Sequence, residues 1–271
     1  VDCFPPQLRV PWRSRVTRRN SGPVRLVLAL VATLAAGVAA GADHASTLSA
    51  LYADSTQPDI SGLWVIKSAP AFGFAPDGSV PVLVGKYKAL YDKRLRAMKA
   101  GHPVDDPTAN CEPAGMPHMD IVPYPFEIMQ TPGRVTMLFE YDSVVRRIPL
   151  GGAPYPGDDM PLYYGSSAGH WVGTTLVIET TNIRADTQLD DTGIPHSDAL
   201  RITERIRRID HATLENRITL TDPKAYAAPF TVTRIYTLHP TWHVQEYVCQ
   251  ENNRNQTDAE GHTGSGTISG H

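Results

Sequence analysis

The sequence predicts a mainly β protein in which an antiparallel meander of strands closes as a β-barrel or a strongly bent sheet. Three observations predict this fold. From Gly169 onward, short runs rich in β-branched and aromatic residues recur at even spacing, with turn residues between them. Within these runs, apolar residues alternate with the period of two that a half-buried strand requires. Residues 84–99 have instead the period of an amphipathic helix.

The N-terminal region of the 271-residue chain is typical of an export signal. Residues 9–25 contain six arginines and no acidic residue, and residues 26–40 carry no charge. The small residues Ala40-Gly41-Ala42 then supply a cleavage site. We therefore predict a leader, residues 1–42, and a protein that is periplasmic or secreted after cleavage near Ala42. A retained membrane anchor is the alternative, although the apolar run is shorter than the roughly 20 residues that a spanning helix needs. The Sec and twin-arginine export routes both stay open.

The rest of the chain is predicted to be one domain with polar ends. Residues 43–58 form a polar N-terminal segment, residues 59–254 form the β-barrel domain, and residues 255–271 form a glycine-rich tail that we expect to be disordered. The net charge of −3 includes the basic leader, so the remaining chain is more acidic and no nucleic-acid surface is implied. The expected partner is a small-molecule ligand or substrate, without nucleic acid and without a membrane span after cleavage. The oligomeric state stays open.

The elements of the domain follow from local patterns. In residues 84–99 apolar side chains recur at helical spacing, and Gly101 supplies a left-handed stop. Residues 103–125 are rich in proline, but interleaved apolar residues indicate an ordered excursion rather than a linker. The strands are predicted within 58–67 and then at 126–130, 135–141, 144–150, 169–172, 175–181, 200–209, 214–221, 230–238 and 242–250.

Alternation places one ionisable side chain on the apolar face of each of three strands: Glu204, Arg234 and Glu246. An unpaired charge inside a barrel is costly, so these groups must meet each other, a hydroxyl or trapped water. The first interpretation is a Glu–Arg–Glu pairing that only fixes the barrel. The second is a polar floor in an apolar interior, where a carboxylate with a raised pKa moves protons.

Two histidines lie near the same end of these strands. His196 and Asp198 belong to a loop that precedes residues 200–209, and His170 lies in a Gly-His-Trp run. As functional groups they would supply acid–base chemistry; as structural groups they would belong to a surface loop and a turn. No two of these histidines have the close spacing of a zinc motif, so no metal site is predicted. Serine-hydrolase, phosphate-loop and dinucleotide signatures are missing too, so we expect no cofactor.

Cys111 and Cys249 are the cysteines that remain after the leader. Neither belongs to a C-x-x-C redox pair. In an exported protein, two lone cysteines favour a disulfide, and two separate buried thiols are the alternative.

Gly62 and Trp64 form a G-x-W motif at the start of the first strand, and Arg234 lies on a late strand. In these features the chain resembles a lipocalin or, more broadly, a calycin-type barrel. The resemblance implies that Trp64 and Arg234 pack together and close the bottom of a cup. Over its whole mature length, the chain is also similar to a group of exported bacterial proteins of unassigned activity. The segments that carry this similarity are Asp59-Ile-Ser-Gly-Leu-Trp64, Cys111-Glu-Pro-Ala-Gly-Met-Pro117, Gly169-His-Trp171, Pro195-His-Ser-Asp-Ala-Leu-Arg201 and Val248-Cys-Gln-Glu-Asn-Asn253.

The first function that fits these observations is that of a cell-envelope protein that binds a small, mostly apolar ligand in the barrel. Trp64, Tyr236 and Trp242 would contact the ligand, because ligand cavities are usually apolar with a few polar groups. A structural protein whose barrel is filled by its own side chains is another possibility, and it predicts no cavity of ligand size.

The alternative function is a cofactor-independent lyase, hydratase or isomerase in the same cavity. In that case His196, oriented by Asp198, acts as acid or base. Glu204 or Glu246 is its counterpart, and Arg234 holds an anionic or enolate oxygen. Catalysis therefore requires His196 or His170 to reach the cavity that Glu204 faces.

Overall fold

Nine antiparallel strands form one sheet that nearly closes into a barrel, which confirms the predicted fold class. The computed structural model describes residues 57–67, 74–102, 106–155, 160–252, 256–257 and 263–264. The predicted leader and most of the segment 43–58 lie outside the described residues. The strands of the sheet are β1 (Gly62–Ile66), β2 (Phe126–Thr131), β3 (Arg134–Phe139), β4 (Val145–Pro149), β5 (Ser166–Val172), β6 (Thr175–Thr181), β7 (Arg201–Asp210), β8 (Thr213–Thr221) and β9 (Phe230–Leu238).

The order of strands in the sheet is β4-β3-β2-β1-β9-β8-β7-β6-β5. Strands β2 to β4 and strands β5 to β9 pair with their neighbours in sequence, as the even spacing of turns predicts. Strand β1 pairs on both sides, since Trp64 lies opposite Phe126 of β2 and opposite Leu238 of β9. Backbone hydrogen bonds therefore join β1 to β9, the first and last of these nine strands in the sequence. The gap in the barrel lies between β4 and β5, the two edge strands of the sheet.

Side chains close this gap between β4 and β5, which we call the seam. At Gly169 on β5, an added Cβ would lie 3.0 Å from Cγ2 of Ile148 on β4, so a glycine there lets the strands approach closely. Nε and Nη2 of Arg146 on β4 each lie 3.2 Å from Oγ of Ser167 on β5 and donate to it. Within the described part of the chain, the seam is held by packing and side-chain hydrogen bonds and has no backbone ladder.

The predicted helix is confirmed as α1 (Gly85–Lys99). Gly101 follows it with a φ of 78°, the left-handed conformation that commonly ends a helix. Tyr91 is the buried residue of α1, and its hydroxyl lies 3.2 Å from Oγ1 of Thr192. Nη1 of Arg94 donates to the carbonyl oxygen of Gly193 at 2.6 Å. The helix therefore packs on the long loop that joins β6 to β7.

The described part of the predicted excursion 103–125 contains two short 3-10 turns. Met116 and Met119 are almost completely buried and belong to the same hydrophobic core as the inward residues of the strands. The hydroxyl of Tyr236, on the inner face of β9, donates to the carbonyl oxygen of Asp120 at 3.1 Å. The excursion therefore packs against the inner face of the sheet.

Cys111 and Cys249 form a disulfide, which confirms the predicted pairing. The bond links the excursion to the C-terminal segment, 138 residues further along the chain. In the chain-entropy model, a cross-link that closes a loop of this length stabilises the fold by about 4–5 kcal/mol.

The strand predicted at 242–250 is wrong. β9 already has β1 on one side and β8 on the other, so no ladder position next to β9 is left for this segment. The chain leaves the sheet after Leu238 instead. Trp242 is 54% exposed and packs on His239, with ring centroids 4.1 Å apart. Glu246 is exposed as well, so the inward orientation predicted for its side chain is also wrong.

The range 255–271, predicted to be a disordered tail, contains two short described strands. They are β10 (Gln256–Thr257) and β11 (Thr263–Gly264), which pair antiparallel. β11 lies near the 3-10 turn Pro107–Asn110, so this part of the chain returns to the excursion.

Candidate functional site

Six polar side chains meet inside the barrel among apolar core residues. We call them the interior cluster: Asp120, Arg146, Glu204, Asn216, Arg234 and Tyr236. Their exposed fractions range from 0% to 7%. Five of them lie on strands and on the inward face, and Asp120 comes from the excursion.

Glu204 is paired as predicted for a buried carboxylate, but its partner is Arg146. Nη1 of Arg146 donates to Oε1 of Glu204 at 3.1 Å, and Nη2 donates to Oε2. The guanidinium also donates to the hydroxyls of Ser167 and Thr180, and Nδ2 of Asn216 donates to Oε1 of Glu204 at 3.2 Å. This is a bidentate, fully supported ion pair that joins β4 to β7 across the interior.

Arg146 and Asp120 were not among the predicted site residues, for different reasons. In the run 144–150, Arg146 shares its face with the apolar residues Val144, Ile148 and Leu150, so alternation carried a signal for it. Asp120 lies in an irregular segment, where no period indicates which side chains face the core.

Arg234 faces the interior as predicted, but its guanidinium has no hydrogen-bond partner among the residues that the structure describes. Its side chain is 1% exposed, and Nε, Nη1 and Nη2 all lack a partner among the described residues. Its guanidinium carbon lies 5.4 Å from the centre of the Phe74 ring, a cation–π contact. Oδ1 of Asn216, the residue opposite Arg234 on β8, is also unpartnered. The unused donors of Arg234 on β9 and the unused acceptor of Asn216 on β8 thus lie on neighbouring strands.

The Asp120 carboxyl lies close to these charges, and its Oδ2 has no partner in the described part of the chain. Burial, followed by the negative charge of Glu204, raises the pKa of Asp120 well above its ordinary value, although Arg146 and Arg234 oppose this shift. Burial also lowers the pKa of Arg234, but a guanidinium keeps its charge in proteins. The interior cluster therefore favours a neutral Asp120, a neutralised Arg146–Glu204 pair and a charged Arg234.

Trp64 contacts an arginine, as the lipocalin resemblance implies, but the arginine is Arg208 and not Arg234. The guanidinium carbon of Arg208 lies 5.2 Å from the centre of the Trp64 ring, and Nη1 donates to the carbonyl oxygen of Asp59 at 3.1 Å. Trp64 lies opposite Leu238, which is further along β9 than Arg234, so Arg234 occupies a different level of the barrel. The prediction that Trp64 packs on Arg234 is therefore wrong.

His196 lies outside the interior cluster, in a groove of about 470 Å³ between α1 and the β6–β7 loop. Its Nδ1 lies 3.0 Å from the carbonyl oxygen of Ser197, and its Nε2 lies 2.8 Å from Oγ1 of Thr187. Because a carbonyl oxygen only accepts, Nδ1 carries the proton of the neutral ring, and Nε2 faces a hydroxyl that also lies 2.9 Å from the carbonyl oxygen of Arg184. Burial lowers the pKa of His196 and so favours this neutral ring. Both nitrogens are thus engaged within the loop.

The remaining predicted residues lie at the surface. Asp198 forms an ion pair with Lys224, with 2.7 Å between Oδ1 and Nζ. His170 is exposed on β5, on the face opposite to the barrel interior. Glu246 lies on the exposed C-terminal segment. The structure therefore places Glu204 and Arg234 inside the same barrel but places neither predicted histidine beside Glu204.

His118 is a buried histidine that sequence analysis did not select as a site residue. Its Nε2 lies 2.9 Å from Oδ1 of Asp191. Burial acts to lower the pKa of His118, but the hydrogen bond and charge of Asp191 and the charges of Asp106 and Asp190 outweigh it and raise the pKa. Protonated His118 therefore stabilises the fold at acidic pH, and this contribution is lost as the pH rises through the folded-state pKa.

The described residues contain no group of three or more His, Cys, Asp or Glu side chains arranged to hold a metal ion. None of the described helices has the length and apolar character that a membrane crossing requires. Comparisons with models of protein families, with curated proteins and with solved structures find no match. The chemistry of the site therefore has to follow from its own residues.

Proposed function

We propose that this protein binds a small, mostly apolar ligand inside its barrel. The observation that carries the proposal is Arg234, a buried arginine whose three side-chain nitrogens have no partner among the described residues. A buried charge without a partner is strongly unfavourable. A ligand in the interior supplies the missing partner, and buried apolar neighbours such as Val232 and Ile218 suit its hydrocarbon part.

The same barrel contains an arginine whose role is structural, and the comparison favours ligand binding. Arg146 is bonded to both oxygens of Glu204 and to two hydroxyls. A barrel filled only by its own side chains needs its buried charges to be satisfied in this way. Arg234 is not, which supports a ligand-binding interior over a structural protein without a ligand.

A neutral fluorescent probe, N-phenyl-1-naphthylamine, tests the proposal with two substitutions on β9. Val232→Phe places a ring inside the barrel, and Thr233→Phe places the same ring on its outer face. We expect the probe to bind the wild-type protein and Thr233→Phe, and to bind Val232→Phe about tenfold or more weakly. Because overpacking costs about 1–3 kcal/mol, the thermal stability of each variant is measured in parallel.

Two results contradict the proposal. One is an unchanged probe affinity in a folded Val232→Phe variant. The other is a wild-type protein that neither binds the probe nor carries a co-purified small molecule in native mass spectrometry.

Cofactor-independent lyase, hydratase or isomerase chemistry in the same interior is the second candidate function. The observation that favours it is Asp120, a carboxyl with a raised pKa and an unpartnered Oδ2. Asp120 would then serve as the acid beside Glu204, in place of His196, while Arg234 holds an anionic oxygen. With a molecule identified by native mass spectrometry as substrate, Asp120→Asn should lose turnover and keep its affinity within about threefold. A variant that retains turnover removes this candidate.

We also propose that the protein acts outside the cytoplasm. The Cys111–Cys249 disulfide supports this proposal, because disulfides persist in oxidising compartments. Fractionation of cells that express the full chain should find a processed protein, cleaved near Ala42, in the periplasm or the medium. An unprocessed cytoplasmic chain with two free thiols would contradict it.

A further inference from the structure

We infer that the ligand is a monocarboxylic acid whose carboxylate lies between the Arg234 guanidinium and the Asp120 carboxyl. This inference rests on the proposed function and names the ligand class for the same interior site. Two features of the interior cluster support it: its unpartnered polar atoms and its charges.

The charges of the interior cluster do not cancel when Asp120 is in its neutral acid form. Arg146 and Glu204 neutralise each other through their bidentate pair. Asp120 is buried and faces Glu204, and these surroundings favour its neutral acid form. Arg234 then carries a positive charge that no described residue compensates. A ligand with one negative charge restores neutrality, whereas a dianion such as a phosphate monoester leaves an excess negative charge in the interior.

The unpartnered atoms match the shape of a carboxylate. A guanidinium is a planar fork of donors that fits the two oxygens of a carboxylate, and all three nitrogens of the Arg234 fork are unused. Oδ2 of Asp120 is unpartnered too, and in the acid form the carboxyl donates one hydrogen bond to a carboxylate oxygen. The Tyr236 hydroxyl donates to the backbone carbonyl oxygen of Asp120 at 3.1 Å. This hydrogen bond holds Asp120 next to β9, the strand that carries Arg234.

Water and chloride are the simplest alternative occupants. A water molecule accepts from a guanidinium but brings no charge, so the excess positive charge would stay in apolar surroundings. Chloride brings the charge but has no hydrocarbon part to contact the buried apolar neighbours of Arg234. Both alternatives are outcomes of the experiment.

The experiment compares octanoate with octan-1-ol, which has the same chain length and no charge, by isothermal titration calorimetry on ligand-stripped protein. We expect octanoate to bind the wild-type protein at least about tenfold more tightly than octan-1-ol. Arg234→Gln should weaken octanoate binding by about 30-fold or more and change octan-1-ol binding by less than about threefold. Arg217→Gln, the same loss of charge on the outer face of β8, is the matched control and should keep both affinities.

Asp120 provides a second measurement. The charged and titratable groups that act on its carboxyl are Glu204, Arg146, Arg234 and Tyr236. Octanoate affinity of the wild-type protein should fall as the pH rises through the raised pKa of Asp120, because an ionised Asp120 repels the ligand carboxylate. Asp120→Asn, whose amide also donates, should keep the affinity and lose this pH dependence. A pH profile that Asp120→Asn does not change overturns the role of Asp120.

The outcomes separate the inference from the proposed function. Equal affinities for octanoate and octan-1-ol, with no effect of Arg234→Gln, overturn the inference and leave the proposed function standing. Displacement of octanoate by an equal concentration of chloride has the same consequence. Failure of N-phenyl-1-naphthylamine and of both eight-carbon ligands to bind overturns the proposed function itself. Should Arg234→Gln not fold, Arg234→Lys keeps the charge without the fork and should bind octanoate more weakly than the wild-type protein.

Discussion

Replacing each buried arginine with methionine should change the stability of the ligand-free protein in opposite directions. Arg146→Met removes the partner of Glu204, while Arg234→Met removes a charge that has no partner. Methionine is a long, flexible and apolar side chain, so it refills most of the space that either arginine leaves. The two variants therefore compare a satisfied and an unsatisfied buried charge within one barrel.

The expected magnitudes follow from the contacts that are lost. In Arg146→Met, the 0%-exposed Glu204 keeps only the 3.2 Å hydrogen bond from Asn216 among those described, and breaking a buried ion pair in this way costs about 3–5 kcal/mol. Arg234→Met loses no hydrogen bond to the described residues, only the cation–π contact with Phe74. Replacement of buried ionic groups by apolar side chains of similar volume is neutral or stabilising by about 1–4 kcal/mol. We expect the two variants to differ by about 5 kcal/mol in the free energy of unfolding, a large share of the roughly 5–15 kcal/mol of a typical domain.

Equilibrium unfolding in urea measures this difference on protein stripped of bound ligands. Tryptophan fluorescence and far-ultraviolet circular dichroism should give coincident transitions, which a two-state analysis requires. Arg217→Met on the outer face of β8 is the control, with an expected change below about 0.5 kcal/mol. If Arg234→Met destabilises the protein as much as Arg146→Met does, Arg234 has a partner within the chain and the argument for a ligand fails.

Four further predictions concern the rest of the domain. The double variant Cys111→Ser/Cys249→Ser should lose about 4–5 kcal/mol of unfolding free energy, and equal urea midpoints for the wild-type protein with and without reductant would contradict this. His118→Gln should destabilise the protein by about 0.5–1 kcal/mol at mildly acidic pH and by less in alkaline solution, because the pKa of His118 is raised in the folded state. His196→Gln should show the opposite trend, because burial lowers the pKa of His196; parallel pH profiles of the melting temperature for the two variants would refute these signs. Gly169→Val should lower the free energy of unfolding by about 1–3 kcal/mol, because the valine overpacks the seam. The control is His170→Val, at the next and outward-facing position, which should leave the melting temperature nearly unchanged.

Local patterns were sufficient for the strands whose pairing partners are their neighbours in sequence. β6 and β9 begin and end at the predicted residues, 175–181 and 230–238, because turn residues bound both β-branched runs. The segment 242–250 has a similar pattern and forms no strand. Its ladder position next to β9 is occupied by β1, which lies far away in the sequence. The alternation of residues within one segment does not show that a distant segment will occupy the same position in the sheet.

The candidate site shows the same division between contacts along a strand and contacts across the barrel. Alternation correctly placed Glu204 and Arg234 inside, because each has apolar neighbours two residues away on its own strand. It did not reveal that Glu204 pairs with Arg146 while Arg234 stays unpartnered, since this depends on how closely β4 approaches β5 across the seam. Asp120 reaches the interior from an irregular segment, for which the sequence has no directional signal.

The seam determines where the barrel opens most easily. Separating β4 from β5 breaks the bonds between Arg146 and Ser167 and the packing of Ile148 on Gly169, but no backbone ladder in the part of the chain that the structure describes. Every other neighbouring pair of strands in the sheet is joined by a hydrogen-bonded ladder. Closure of the seam and the charge balance of the interior are therefore coupled, because the side chain that bonds across the seam also neutralises Glu204. A substitution that removes the Arg146 guanidinium takes away both contacts at once.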